Sequence, residues 1–203
     1  NYFFKNFKNK IIVTGYKNKN LNQFSKENNF IKVINKNYSS TNMVYSLFLA
    51  KNLVKGDIVI VYGDVIFNPK IFNQLKPKKN ILPINVNWLK NWKKRMSSKN
   101  ILKDAENLII RNNQLVEIGT KINKNKLPKY QFMGIIKLTK NTYKKSYDFF
   151  KKIKDKKIDM TSFLNLCVKN KIINFKIKKY KSYWYEIDTR SDYKFADKEI
   201  KKW

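Results

Sequence analysis

Residues 57–64 read DIVIVYGD. The β-branched run from Ile58 to Val61 lies between Gly56-Asp57 on one side and Gly63-Asp64 on the other. A short unbroken apolar run bounded by turn residues is the pattern of a buried strand. Working outward, the same kind of run recurs. IIVTGY (11–16) reads as a buried strand ending in a turn at Gly15, and IKVIN (31–35), ILPINVNW (81–88), QFMGIIKLT (131–139) and IINFKI (172–177) read as further strands. Segments of helical period separate them. Residues 18–27 suit a polar surface helix, and Thr41 or Asn42 can cap a helix whose apolar positions Met43, Leu47 and Ala50 recur at three to four. NPKIFNQL places Pro69 in a helical first turn. Helices are also expected over 140–153 and 161–170, and a last one runs from Thr189 to about Lys201. NLIIRNNQLVEIG (107–119) predicts a hairpin turning at Asn112-Asn113. Strands alternating with helices give an α/β class, a Rossmann-like mixed, mostly parallel sheet flanked by helices. No internal repeat or low-complexity linker divides residues 1–203, which read as a single domain.

Composition narrows the chemistry. The chain carries 45 Lys and Arg against 14 Asp and Glu, a net charge of +31. Such an excess ordinarily suggests a polyanionic partner. Here the basic residues are nearly all Lys, are spread along the whole chain, and come with abundant Asn and Ile. That mixture is what an A- and T-rich genome writes onto any solvated surface. No specific nucleic-acid partner is expected, although the positive field would still attract a triphosphate. The absence of histidine excludes imidazole acid–base chemistry and His metal sites. Cys167, in the apolar run FLNLCV, reads as a buried inert thiol and excludes an internal disulfide. No stretch approaches the roughly 20 apolar residues of a membrane span, and no signal-peptide pattern opens the chain, so no membrane partner and a cytoplasmic location are expected.

Two aspartates stand in strand-like contexts, Asp64 in YGDVIF and Asp188 in YWYEIDT. Ligands of open α/β sheets bind beyond the carboxyl ends of the strands. Two carboxylates placed there can hold one Mg²⁺ against a nucleoside triphosphate, because Mg²⁺ takes one or two carboxylates and fills its octahedron with phosphates and water. Each residue also has a plainer reading, Asp64 as a turn residue and Asp188 as a helix cap.

An ordered series of segments resembles the nucleotidyltransferase family of phosphocholine and aminoalkylphosphonate cytidylyltransferases, of nucleotide-diphospho-sugar transferase type. The series is IVTGY, STNMVYSL, VIVYGDVIF, INVNWLKNWKKR, DAENLII with EIG, YQFMGIIKLT, IDMTSFL and YWYEIDTRSDYKFA, covering about Ile11 to Ala196. The resemblance implies an in-line transfer in which an acceptor phosphate or phosphonate oxygen attacks the α-phosphorus of CTP and pyrophosphate leaves. It also implies that Asp64 and Asp188 are the catalytic Mg²⁺ ligands. Asn42, Ser46 and Gly63 occupy the family's nucleotide-contacting positions; Asn42 offers a donor and an acceptor to a pyrimidine edge. A cationic acceptor such as phosphocholine or 2-aminoethylphosphonate calls for aromatic faces and an acid. Trp88, Tyr130, Trp184 and Tyr185 are the aromatic candidates, with Glu106 and Glu186 as acids. Arg95 could hold the acceptor's phosphonate in a bidentate grip, and Gln131 matches the branch reading QxMG. The expected partners are therefore CTP and a small acceptor, on a monomer or homodimer.

Members of that family open with a strand and a glycine-rich phosphate loop. Nothing here corresponds to either, Gly15 being solitary, so the domain is expected to be truncated at its N-terminus. A sheet without that strand would have open backbone edges. The 203-residue chain is then expected to bind CTP poorly by itself. Two other readings remain at this stage, a sugar-phosphate nucleotidyltransferase with a polar acceptor pocket and a Lys-rich nucleic-acid-binding protein whose affinity would fall steeply with salt.

Overall fold

The computed structural model describes residues 7–122 and 127–201. The first strands, β1 (Lys10–Thr14) and β2 (Phe30–Ile34), pair in parallel. They are joined by a 3-10 turn and α1 (Asn22–Glu27). After α2 (Met43–Leu49), the DIVIVYGD run supplies β3 (Ile58–Val61), and its continuation supplies β4 (Val65–Phe67). Pro69 does start a helical turn, of 3-10 type, over Pro69–Leu75. The chain then forms β5 (Ile81–Asn85), α3 (Trp88–Trp92), α4 (Ser98–Asp104), and the hairpin of β6 (Glu106–Arg111) and β7 (Gln114–Lys121). Asn112 and Asn113 turn that hairpin at φ of 47 and 60°, the left-handed geometry that Asn tolerates. There follow β8 (Gln131–Phe132), β9 (Ile135–Leu138), α5 (Lys140–Lys152), α6 (Met160–Lys169), β10 (Lys176–Tyr180), β11 (Trp184–Glu186) and α7 (Arg190–Ile200).

The main sheet has the order β3-β9-β5-β10-β7-β6, with β8 beside β5. From the pairings, β3, β5, β10 and β6 run one way and β9 and β7 the other. Mixed α/β architecture is thus what forms. Side-chain alternation sorts the sheet into two buried faces. On β5 and β9, Leu82, Ile84, Ile136 and Leu138 join one core with Phe48, Phe150, Phe163 and Cys167, under α2, α5 and α6. Ile81 and Ile135 point the other way, into a core with Trp88, Trp92, Trp184 and Phe72.

Pro83 lies inside the fully buried β5 and has no N–H to give a neighbour. The antiparallel partner is interrupted beside it, between the pairs Ile81–Lys137 and Ile84–Phe132. Gly134 makes that interruption possible. It takes φ 68°, and a Cβ there would stand 3.0 Å from the Tyr62 ring. Gly134→Ala is expected to cost about 1–2 kcal/mol from the left-handed backbone alone, with the ring contact adding to it; denaturant unfolding of the variant measures this.

Two expectations need correction. IINFKI is strand only in its last two residues. Ile173 and Phe175 are core residues in the turn after α6, and pairing begins only at Lys176 opposite Ile81. The strand KIKKY buries Ile177 and Tyr180 and exposes its three lysines, which hides it among this chain's many Lys. ILPINVNW likewise stops being a strand at Asn85, because Trp88 begins α3.

Among the described residues β1 pairs only with β2, and β3 only with β9. Consecutive residues of both, Ile11–Val13 and Ile58–Val61, line a slot of about 730 Å³. Consecutive lining means that backbone edges, and not one side-chain face, look into it. Lys137 also lines the slot and is paired with Asp57 at 2.6 Å. Burial acts to raise the Asp57 pKa, but the Lys137 pair and the Lys140 backbone N–H outweigh it and hold the carboxyl low. Stabilisation from this group is therefore present above the ordinary carboxylate range, near pH 4, and lost as pH falls through its lowered value. Asp57→Asn should flatten the acid limb of a stability–pH curve while leaving its neutral shape intact.

Candidate active site

Asp64 and Asp188 meet because β4 and β11 pair. Val65 lies opposite Glu186, and the Ile187 N–H donates to the Asp64 carbonyl at 2.8 Å. Both aspartates line one pocket of about 290 Å³. The pocket's charge is extreme for this chain. Asp64, Asp104, Glu106, Asp159, Glu186 and Asp188 line it, six of the 14 acids, and among the described residues none of the 45 Lys and Arg does.

The acids fall into two groups. Near the β4–β11 pair, burial pushes Glu186 up to about 8; the Arg95 charge opposes this, and the Asp188, Asp64 and Asp104 charges add to it. Burial also raises Asp188, against Arg95 and with Asp192, Asp64 and Asp104. Repulsion of this kind is relieved by a bound cation. Asp188 keeps 58% of its side chain exposed, and the Asp64 residue is exposed, so both are open to a ligand. No group of three or more acidic or Cys side chains among the described residues could enclose a metal. The donor set suits a Mg²⁺ that takes two carboxylates and completes its shell with phosphate oxygens and water.

The second group is at the start of α6. Thr161 Oγ1 lies 2.9 Å from Glu106 Oε1 and 3.0 Å from Asp159 Oδ1. Asp159 caps α6 by accepting from the Ser162 N–H at 2.8 Å. Burial acts to raise Asp159, but the Ser162 and Thr161 hydrogen bonds hold it low, whereas burial and the Asp159 charge raise Glu106. Between the groups, burial and the charges of Glu106, Asp159, Asp64 and Glu186 keep the Tyr62 phenol protonated.

No protein-family model matches the chain. A curated protein does. CTP:phosphoglutamine cytidylyltransferase of Campylobacter jejuni is 33% identical over 202 residues, covering 89% of this chain and 78% of that protein. The chain belongs to that nucleotidyltransferase family. Solved structures agree on the fold. CTP:phosphocholine cytidylyltransferase from Streptococcus pneumoniae superposes with a TM-score of 0.70 at 18% identity, over 97% of this chain and 80% of that one. The inositol-1-phosphate CTP transferase from T. maritima gives 0.68 at 21%, over 90% and 71%.

Of the residues expected from sequence, this nucleotidyltransferase brings Asp64, Asp188, Glu106, Glu186 and Gln131 together in the acidic pocket. Others lie elsewhere. Trp88 and Trp184 are core, at 1% and 0% exposed, and the Trp184 Nε1–H donates to the Met133 carbonyl. Tyr185 is core too, its ring edge-on to Phe195. Tyr130 lies outside the pocket, with Lys129 and Lys179 already over its ring. The expected aromatic cage is not built from these residues.

Arg95 also needs correction. Its side chain is 4% exposed, and it pairs with Asp192 at 3.0 Å, Glu186 at 3.3 Å and Asp188 at 3.8 Å. The guanidinium is committed to positioning carboxylates and has no free fork for a phosphonate. Asn42 is the cap of α2, accepting from the Met43 N–H and donating to the Lys157 carbonyl. Ser46 accepts from Asn35 and, like Gly63, borders the slot beside β3, not the acidic pocket. Sequence reading missed Asp159, Thr161, Asp104 and Trp92. Asp159 was visible as a cap before MTSFL, but only the fold turns that cap toward Glu106.

Proposed function

We propose that this nucleotidyltransferase transfers CMP from CTP to a phosphorylated or phosphonylated acceptor, with one Mg²⁺ held by Asp64 and Asp188. The observation that carries the reading is the convergence of both aspartates on one pocket lined by acids and by no Lys or Arg among the described residues. CTP as donor is supported by the curated relative, which is a CTP-dependent enzyme by name. The acceptor's oxygen attacks the α-phosphorus, the bond to the β-phosphate oxygen breaks, and the electron pair leaves with pyrophosphate. A bound Mg²⁺ supplies neutralisation of charge on the phosphate oxygens. The chain's own residues set the geometry. Arg95 ties Asp188 to Glu186 and Asp192, Thr189 starts α7 with a capping box, and the Glu106 group receives the acceptor's positive end. Acceptors of phosphocholine, 2-aminoethylphosphonate and phosphoglutamine type all belong to this class.

The slot between β1 and β3 is proposed to seat one further strand. A strand running parallel to β3 would end beside Gly63 and Asp64, where a following loop could cradle the triphosphate. A cytoplasmic setting goes with this reading; no helix among the described residues is long and apolar enough to cross a membrane.

The test is pyrophosphate release by the full polypeptide across four nucleotides and a panel of acceptors, with and without Mg²⁺. Turnover with CTP that stops on chelation is expected. Failure to release pyrophosphate from any nucleotide, or steep salt-dependent binding to nucleic acid in its place, would remove the reading.

A further inference from the structure

The pocket's second acidic group comes with polar atoms that nothing in the protein satisfies. Gln131 is 5% exposed and lines the pocket on β8, next to the strand that carries Glu106. Its Oε1 has no hydrogen-bond partner. A buried acceptor without a donor costs about 1–3 kcal/mol, so the site is built for something that brings N–H or O–H groups. Beside it stand Glu106 and Asp159, which ask for positive charge as well. Trp92 Nε1, lining the same pocket, is a donor without an acceptor and suits an anionic oxygen on the same molecule.

Positive charge can be received in two ways. A trimethylammonium has no N–H and is held on open aromatic faces, whereas a primary ammonium presents three donors and needs oxygen acceptors. Three aromatic rings do border the pocket, each already engaged with another ring. Tyr62 and Phe132 pack edge-to-face at 5.8 Å. Trp92 stacks on Trp184 at 6.3 Å, meets Trp88 edge-on, and has Arg95 over its ring. We infer that the acceptor carries a primary ammonium group, and that Glu106, Asp159 and Gln131 Oε1 receive it in preference to a quaternary amine. This rests on the acceptor reading above and narrows it.

Phosphoethanolamine and phosphocholine form a minimal pair, alike except for N–H against N–CH₃. The full polypeptide with CTP and Mg²⁺ is expected to use phosphoethanolamine with a kcat/KM at least about 100-fold higher, a floor set below the roughly 10⁴-fold by which hydrogen-bonding sites reject analogues without the hydrogen. Glu106→Gln combined with Gln131→Met should collapse that ratio toward one through KM for phosphoethanolamine, a change that mere loosening of the fold would not produce. Saturation-transfer NMR of each compound on the protein reads the same preference without turnover. Phosphocholine used or bound as well as phosphoethanolamine, or neither compound bound, overturns the inference. Loss of pyrophosphate release with every acceptor, while phosphoethanolamine alone still binds, would strike the reaction and leave the ammonium site standing.

Discussion

Asp64→Asn and Asp188→Asn are each expected to lower pyrophosphate release from CTP by about a thousand-fold, the upper end for loss of one preorganised electrostatic contact at a reacting phosphate. The substitutions keep side-chain shape and remove charge, so on the proposed reading the loss would fall on cation holding. They should not harm the fold. Asp188 sits among Asp64, Asp104 and Asp192, and burial with those charges raises its pKa; the ionised form is therefore disfavoured by folding. A group with a raised acidic pKa costs stability as pH climbs from the unfolded value toward the folded one. Asp188→Asn removes that cost, and the variant should melt at or above the parent temperature at neutral pH. Activity lost with stability kept is the signature of a functional carboxylate. Unchanged turnover in either variant would eliminate that residue as a ligand.

Arg95→Met should have the opposite profile, a destabilisation of about 3–5 kcal/mol, as when one partner of a buried charge network is removed. Asp192 is 7% exposed, and with Arg95 gone its carboxylate and that of Glu186 lose their only paired cation among the described contacts. Arg95→Lys should recover only part of this, since a single ammonium cannot bridge both acids as the planar fork does. The pH dependence gives an independent check. Burial acts to raise Asp192, but hydrogen bonds from Thr189 and Arg95 hold it low. Its stabilisation is present above about pH 4 and lost as pH falls through the lowered value, and Arg95→Met should reduce that acid sensitivity while the Thr189 hydrogen bonds keep the rest. Urea unfolding between neutral and acidic pH measures both effects. A loss under about 1 kcal/mol would place Arg95 among ordinary surface ion pairs.

Much of the fold could be read from local pattern. The run at 58–61, the Asn112-Asn113 turn and the Thr189 cap each depend on neighbours in sequence, and each formed where expected. The two aspartates were legible for a related reason, as residues placed just after strand-like runs. Tertiary packing decided the rest. Trp88 and Trp184 look like ligand aromatics until the sheet closes over them. Arg95 looks like a phosphonate clamp until α7 brings Asp192 beneath it. Asp159 and Glu106 are far apart in the chain, and only Thr161 between them shows that they share a site. The KIKKY strand escaped because a lysine-rich background blurs the contrast between buried and exposed positions.

On the proposed reading, the contrast between a cationic exterior and an anionic hollow would make the protein a sorter of small ions. Its net charge of +31 should draw phosphate compounds from the vicinity, and screening by salt should weaken that harvest. Admission is a separate matter. Orthophosphate, sulfate or glycerol phosphate arrives with no positive end and meets a lining of six acidic side chains with no Lys or Arg among the described residues. Such bystanders should inhibit feebly even when abundant, leaving the way in clear for a zwitterion.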